Sequence, residues 1–161
     1  MAVPDGQSET SVVEHELRVA ARPQTVFAYF TDPERLTRWI AGEATVDPRP
    51  GGICRIDVTA EIIGDTVLVG EFLTVDPYRR IVFTWGFENH RFEMPPQSTE
   101  VEVTFTPAGD DTIVRLVHRR LPPAAIDFHR AGWEHYLGRL GVAAAGGDPG
   151  PDPWRVPATA H

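Results

Sequence analysis

Three histidines fall where an imidazole would face an apolar interior. His118 alternates with Val114 and Leu116, and His15 with Val13, Leu17 and Val19. His129 lies in a helical series with Ile126, Arg130, Trp133, Leu137 and Leu140. An imidazole buried this way needs a partner, because an unpaired polar group is costly in apolar surroundings. For His118 two readings stay open. It is either a neutral structural ring bonded to a carbonyl or water, or a polar anchor or general acid/base with a pKa tuned by burial. Glu71 is the second catalytic candidate. It alternates with Val69, Leu73 and Val75, a spacing that would turn it inward toward His118 or Arg115; the other reading is a solvated or strand-paired carboxylate. Tyr136 is a further proton carrier on the helical segment. The long spacing of the histidines contains no HxxxH or HExxH, so no metal site is expected, and no other cofactor. GxSxG, P-loop and GxGxxG patterns are also absent. Cys54 lies on an apolar strand face and reads as a small buried hydrophobe, while alternation puts Asp57 outside with Arg55. All fifteen basic residues are Arg, which excludes Schiff-base chemistry on lysine.

The elements that would position these residues are legible from periodicity. Residues 13–19 alternate as an amphipathic strand. Pro23 opens a helix with Val26, Phe27 and Phe30 on one face, and residues 31–34 (TDPE) stop it and start a second, ending near Trp39 and Ile40. Strands follow. Cys54, Ile56 and Val58 share a face, a turn is read at residues 62–65, and a long strand spans residues 66–75. Ile81, Phe83, Trp85 and Phe87 lie on one face of the next segment. Residues 99–106 and 112–120 form a hairpin around residues 107–111. One apolar and one polar face per strand imply an antiparallel sheet with one solvated side. Pro122 and Pro123 then open a long helix. The fold class expected is α+β, a helix-grip of six or seven antiparallel strands curved around the C-terminal helix, with two short helices after the first strand.

Length and charge bound the rest. A chain of 161 residues is one domain by size. Residues 11–145 carry the periodicity, and residues 1–10 and 146–161 read as tails, the second dense in Pro and Gly. Trp154 stands out in that tail as either a loose aromatic or a group docked on the body or on a neighbouring chain. A net charge of −8 repels phosphate backbones and anionic lipid, so neither nucleic acid nor membrane is an expected partner. One cysteine, no signal-peptide pattern and no spanning apolar run point to the cytoplasm, as a monomer or homodimer.

Four segments carry a resemblance to a known family. They are residues 22–39 (RPQTVFAYFTDPERLTRW), 49–52 (RPGG), 70–85 (GEFLTVDPYRRIVFTW) and 132–140 (GWEHYLGRL). In this order they resemble the family named after the activator of the heat-shock protein 90 ATPase (the homologue 1-like group). That family lies within the START-like, birch-pollen-allergen-like SRPBCC superfamily. The resemblance covers about residues 10–145. It implies a deep cavity between sheet and long helix, of the kind that holds lipids, hormones and aromatic polyketides across the superfamily.

Aromatic residues dominate the inward positions, and a wall of aromatic side chains with few polar groups suits a small apolar ligand. The expected ligand-binding residues are Phe27, Trp39, Phe72, Trp85, Phe87, His118, Trp133, Tyr136 and Leu137. Three functions stay open: binding of a small aromatic or acyl molecule, a cyclase, dehydratase or hydrolase using the same cavity, or a chaperone-activator-like interaction protein. Two or more polar groups converging inside the cavity would mark the enzyme.

Overall fold

The alternation of residues 13–19 forms β1 (Val13–Val19), whose ends Val13 and Val19 are buried while its glutamates and Arg18 stay in solvent. The computed structural model describes residues 11–58 and 65–154. The turn read at residues 62–65 therefore lies largely outside the described residues, as do the tail at 1–10 and residues 155–161.

Two short helices follow, α1 (Pro23–Thr31) and α2 (Pro33–Leu36). The TDPE segment separates them for a local reason. The Asp32 side chain accepts from the Glu34 amide at 3.0 Å and pairs with Arg35, which caps α2, while Pro33 takes the first helical position, where no amide hydrogen is needed. The second helix is shorter than the sequence suggests. It is one turn, and residues 37–40 continue as a turn that delivers Trp39 inward, where its Nε1 donates to the Tyr29 carbonyl at 2.9 Å.

The remaining strands are β2 (Ala44–Val46), β3 (Ile53–Asp57), β4 (Val67–Asp76), β5 (Arg80–Trp85), β6 (Thr99–Ala108) and β7 (Asp111–Arg119). They form one antiparallel sheet of seven strands in the order β1-β7-β6-β5-β4-β3-β2. The three-residue β2 carries too little alternation to be read from sequence. The long helix α3 (Ile126–Ala144) follows a single 3₁₀ turn at Pro123–Ala125 and packs on the sheet's apolar face. This is the α+β helix-grip.

Two motif glycines are explained by close approach. A Cβ on Gly70 would stand 1.9 Å from the Thr84 carbonyl oxygen, and one on Gly52 1.9 Å from that of Asp47, so any side chain would force the strands apart.

Two expectations need correction. The sheet's outer side is not uniformly solvated: on β5, Val82 and Thr84 are buried as well as Ile81, Phe83 and Trp85, as befits a central strand. On α3, Arg130 lies outside the inner stripe with its side chain in solvent. The buried face is His129, Trp133, Tyr136, Leu137 and Leu140, with Ile126 only half-buried at its start.

Candidate functional site

Strand β5 and helix α3 face each other through Trp85 and Trp133, whose rings lie 4.9 Å apart. Behind them the two inward histidines are locked in place. Trp133 Nε1 donates to His118 Nδ1 at 3.0 Å, which fixes the proton on Nε2. That nitrogen donates to Thr99 Oγ1 at 2.8 Å, and the Thr99 hydroxyl passes its own hydrogen to the Trp85 carbonyl at 2.6 Å. His129 repeats the pattern: Trp85 Nε1 donates to its Nε2 at 3.3 Å, and its Nδ1 donates to the Ala125 carbonyl at 2.9 Å. Both rings are neutral and fully used. Burial, reinforced by the neighbouring His129, holds the His118 pKa well below the ordinary imidazole value. Burial likewise brings His129 down to about 4, partly opposed by its bond to Ala125.

The partners of His118 are therefore Thr99 and Trp133, and none of His15, Glu71 or Tyr136. His15 instead donates to the Arg130 carbonyl at 3.2 Å. Glu71 lies on the wrong face for the pairing that alternation suggested. The inward residues of β4 are Leu68, Gly70 and Phe72, and the pairing register shifts between Phe72 and Thr74. That irregularity returns Val75 to the core side, so Val69, Glu71, Leu73 and Val75 never formed one face. Cys54 is buried, and desolvation pushes its thiol pKa up to about 12, which removes it as a nucleophile.

A cleft-like cavity opens beside the tryptophan pair. Its sheet side is Trp85, Phe87 and Val58, with Ile40 from the turn after α2. Its helix side is Phe128, His129, Gly132, Trp133 and Tyr136, and Trp154 completes the wall. A second void of about 10 Å³ lies on the other side of the pair, against Trp39, Phe72 and Phe83. Of the nine expected ligand contacts, Trp85, Phe87, Trp133 and Tyr136 line the main cavity. Trp39 and Phe72 line the smaller void. Phe27, His118 and Leu137 line neither: Phe27 packs on Phe105 with ring centres 5.5 Å apart, and Leu137 is buried in the core.

Among the described residues the space between sheet and long helix is small, not the deep cavity that the resemblance implies. The space is about 40 Å³, against roughly 300–1,000 Å³ in small-molecule sites. Trp154 forms part of the wall of this small space. Its indole stacks on His135 at 4.3 Å with the planes 4° apart, and leans on Phe128 and Tyr136. The tail aromatic is docked on the body.

No three His, Cys, Asp or Glu side chains among the described residues are grouped to hold a metal ion. No described helix is long and apolar enough to cross a membrane.

An antiparallel sheet gripping a long helix, with an aromatic cavity between them, defines the class as a helix-grip protein. A family model described as Activator of Hsp90 ATPase homolog 1-like protein matches residues 20–145, and the chain belongs to that family. Solved structures agree. An AHSA1-like protein from Rhizobium etli is 42% identical, with 93% of this chain and 91% of that one covered and a TM-score of 0.68. CalU16 from Micromonospora echinospora is 28% identical over 87% of this chain and 77% of that one, with a TM-score of 0.69. DynU16, a protein of the dynemicin biosynthetic locus, shares the fold at a TM-score of 0.73 and 24% identity; the match covers 90% of this chain and 51% of DynU16. No curated protein matches significantly.

Proposed function

We propose that this protein binds a small apolar molecule between α3 and the sheet, with residues 11–145 as the binding domain and Trp154 as the group that yields to the ligand. One observation carries the reading: the cavity wall is aromatic and aliphatic, and the imidazole at its edge spends both nitrogens on Trp85 and Ala125. Such a wall gains from excluding water, and its imidazole has no free nitrogen with which to move a proton. The occurrence of the fold in DynU16, a protein of a biosynthetic locus, supports small molecules as the occupants. The Glu71–His118 pairing of the enzyme reading is not made, because the two residues are held apart on β4 and β7, and the Tyr136 hydroxyl is engaged by Asp152.

The test is equilibrium binding of naphthalene, a neutral ring system about the size of an indole, followed by saturation-transfer NMR. Wild type should bind it weakly. Trp154→Ala should bind about tenfold tighter or more, because the apparent affinity of a closed site is reduced by the fraction that is open. No binding by either protein would contradict the proposal.

A further inference from the structure

The chain after α3 runs back along that helix toward its start. The Gly147 amide donates to the Val142 carbonyl at 2.9 Å, and Arg139 Nη1 to the Pro149 carbonyl at 3.4 Å. One turn of α3 further back, the Asp152 carboxylate accepts from the Tyr136 hydroxyl at 2.7 Å and from His135 Nε2 at 2.8 Å. It also accepts from the Trp154 amide at 2.9 Å, and its side chain is only 4% exposed. Two residues later the Trp154 indole lies flat on His135 and completes the cavity wall. A Cβ placed on Gly132 would meet only this ring, at 3.9 Å, so the helix leaves an open berth for a planar group there.

The tail thus places a planar bicyclic ring and a carboxylate, close together, in a site whose own contribution is aromatic faces and two hydrogen-bond donors. We propose that Asp152 and Trp154 occupy this site as an internal stand-in for its ligand, and that the ligand displacing them is a planar aromatic carboxylate. This rests on the reading that the cavity binds an apolar molecule, and adds the chemical class. Both donors to Asp152 that belong to the body sit on α3 beside the cavity, and Tyr136 also lines it. When Asp152 leaves, the group that best replaces it is another carboxylate, since hydrogen bonds to an ionised acceptor are the strong ones. A neutral ring would fill the space without replacing the charged acceptor that these donors meet in Asp152. Burial alone would raise the Asp152 pKa, yet the bonds from Tyr136, the Trp154 amide and His135 outweigh it and hold the carboxyl below its ordinary value. Of these donors, Tyr136 and His135 belong to α3 and stay when the tail leaves, so the geometry offers an incoming carboxylate two hydrogen bonds. Because the tail is tethered, it competes at a high effective concentration, and a ligand must beat it to enter.

The experiment compares naphthoate with its uncharged isostere naphthamide, both as the β isomers, on the full chain by calorimetry. In the double variant Asp152→Ala/Trp154→Ala, naphthoate should bind about tenfold tighter or more than to wild type, and about tenfold tighter than naphthamide. Adding Tyr136→Phe should erase most of the preference for the acid and leave naphthamide binding within about twofold. Circular dichroism checks the fold of each variant. If the double variant does not fold, the near-isosteric Asp152→Asn should show the same ordering in smaller measure. Equal binding of acid and amide would overturn the proposed ligand class while leaving the cavity reading intact. Equal binding to wild type and to the tail variants would overturn the stand-in role. Failure of the open variant to bind the acid, the amide or naphthalene would contradict the cavity reading itself.

Discussion

Trp133→Ala is expected to destabilise the protein by about 3–5 kcal/mol, measured by urea unfolding near neutral pH. The side chain is 3% exposed and packs against Trp85 across the sheet–helix interface. The truncation does more than leave a hole. It removes the donor to His118 Nδ1, and a buried acceptor without its partner costs about 1–3 kcal/mol by itself. Trp133→Phe separates the two effects. It keeps most of the ring contact and loses the N–H, so its cost should fall near that smaller figure. A cost under about 0.5 kcal/mol for the alanine variant would mean that the residue is on the surface and α3 is rotated from the orientation described.

The second large effect is on pH. His118 and His129 are neutral in the folded state, with folded pKa values below the roughly 6.5 of an unfolded imidazole. Above pH ~6.5 neither state binds these protons, and their contribution to stability is fully present. Below it the unfolded chain takes them up while the folded chain does not, until about pH 4 for His129. Stability should therefore fall on acidification from about pH 6.5 to 4, by up to about 3 kcal/mol from His129 alone, with His118 adding in the same direction. Carboxylates held low by their partners, such as Glu102 between Arg80 and Arg119, lose their contribution below that window, as pH falls through their folded pKa values. His129→Gln keeps a donor and an acceptor without the titration, and should flatten the curve between pH 6.5 and 4. An unchanged slope would mean that His129 is protonated in the folded protein.

Much of this fold is written locally. Alternation exposes β1, β6 and β7 because each has a charged face and an apolar one, and the TDPE cap is legible because Asp32 and Pro33 act within three residues of themselves. What alternation does not give is which face turns inward. On β4 the outer face is itself apolar at Val69 and Leu73, and a register shift past Phe72 changes the sense of the pattern, so alternation alone leaves the face of Glu71 open. The histidines show a second limit. Their inward direction follows from periodicity, but their partners Thr99, Trp133 and Trp85 come from other strands and from α3, at separations no local signal spans. The cavity's size is a property of contact distances between β5 and α3, and residue types alone cannot set it. Trp154 is the extreme case. Its segment has no periodicity, and its position depends on Asp152 finding His135 and Tyr136 across the helix surface.

The most direct measurement follows the indole N–H signals of the four tryptophans by nitrogen-15 NMR while naphthalene is added to wild-type protein. Trp85, Trp133 and Trp154 line the cavity, whereas Trp39 lies beyond the tryptophan pair with its N–H on the Tyr29 carbonyl. If an apolar ligand enters between the sheet and α3 by displacing the tail, the Trp154 signal should move toward its solvent-exposed position, Trp85 and Trp133 should shift with the same saturation curve, and Trp39 should stay in place. Saturating naphthalene that leaves Trp154 unmoved, or that shifts none of the three, would contradict a ligand site closed by the chain's own tail.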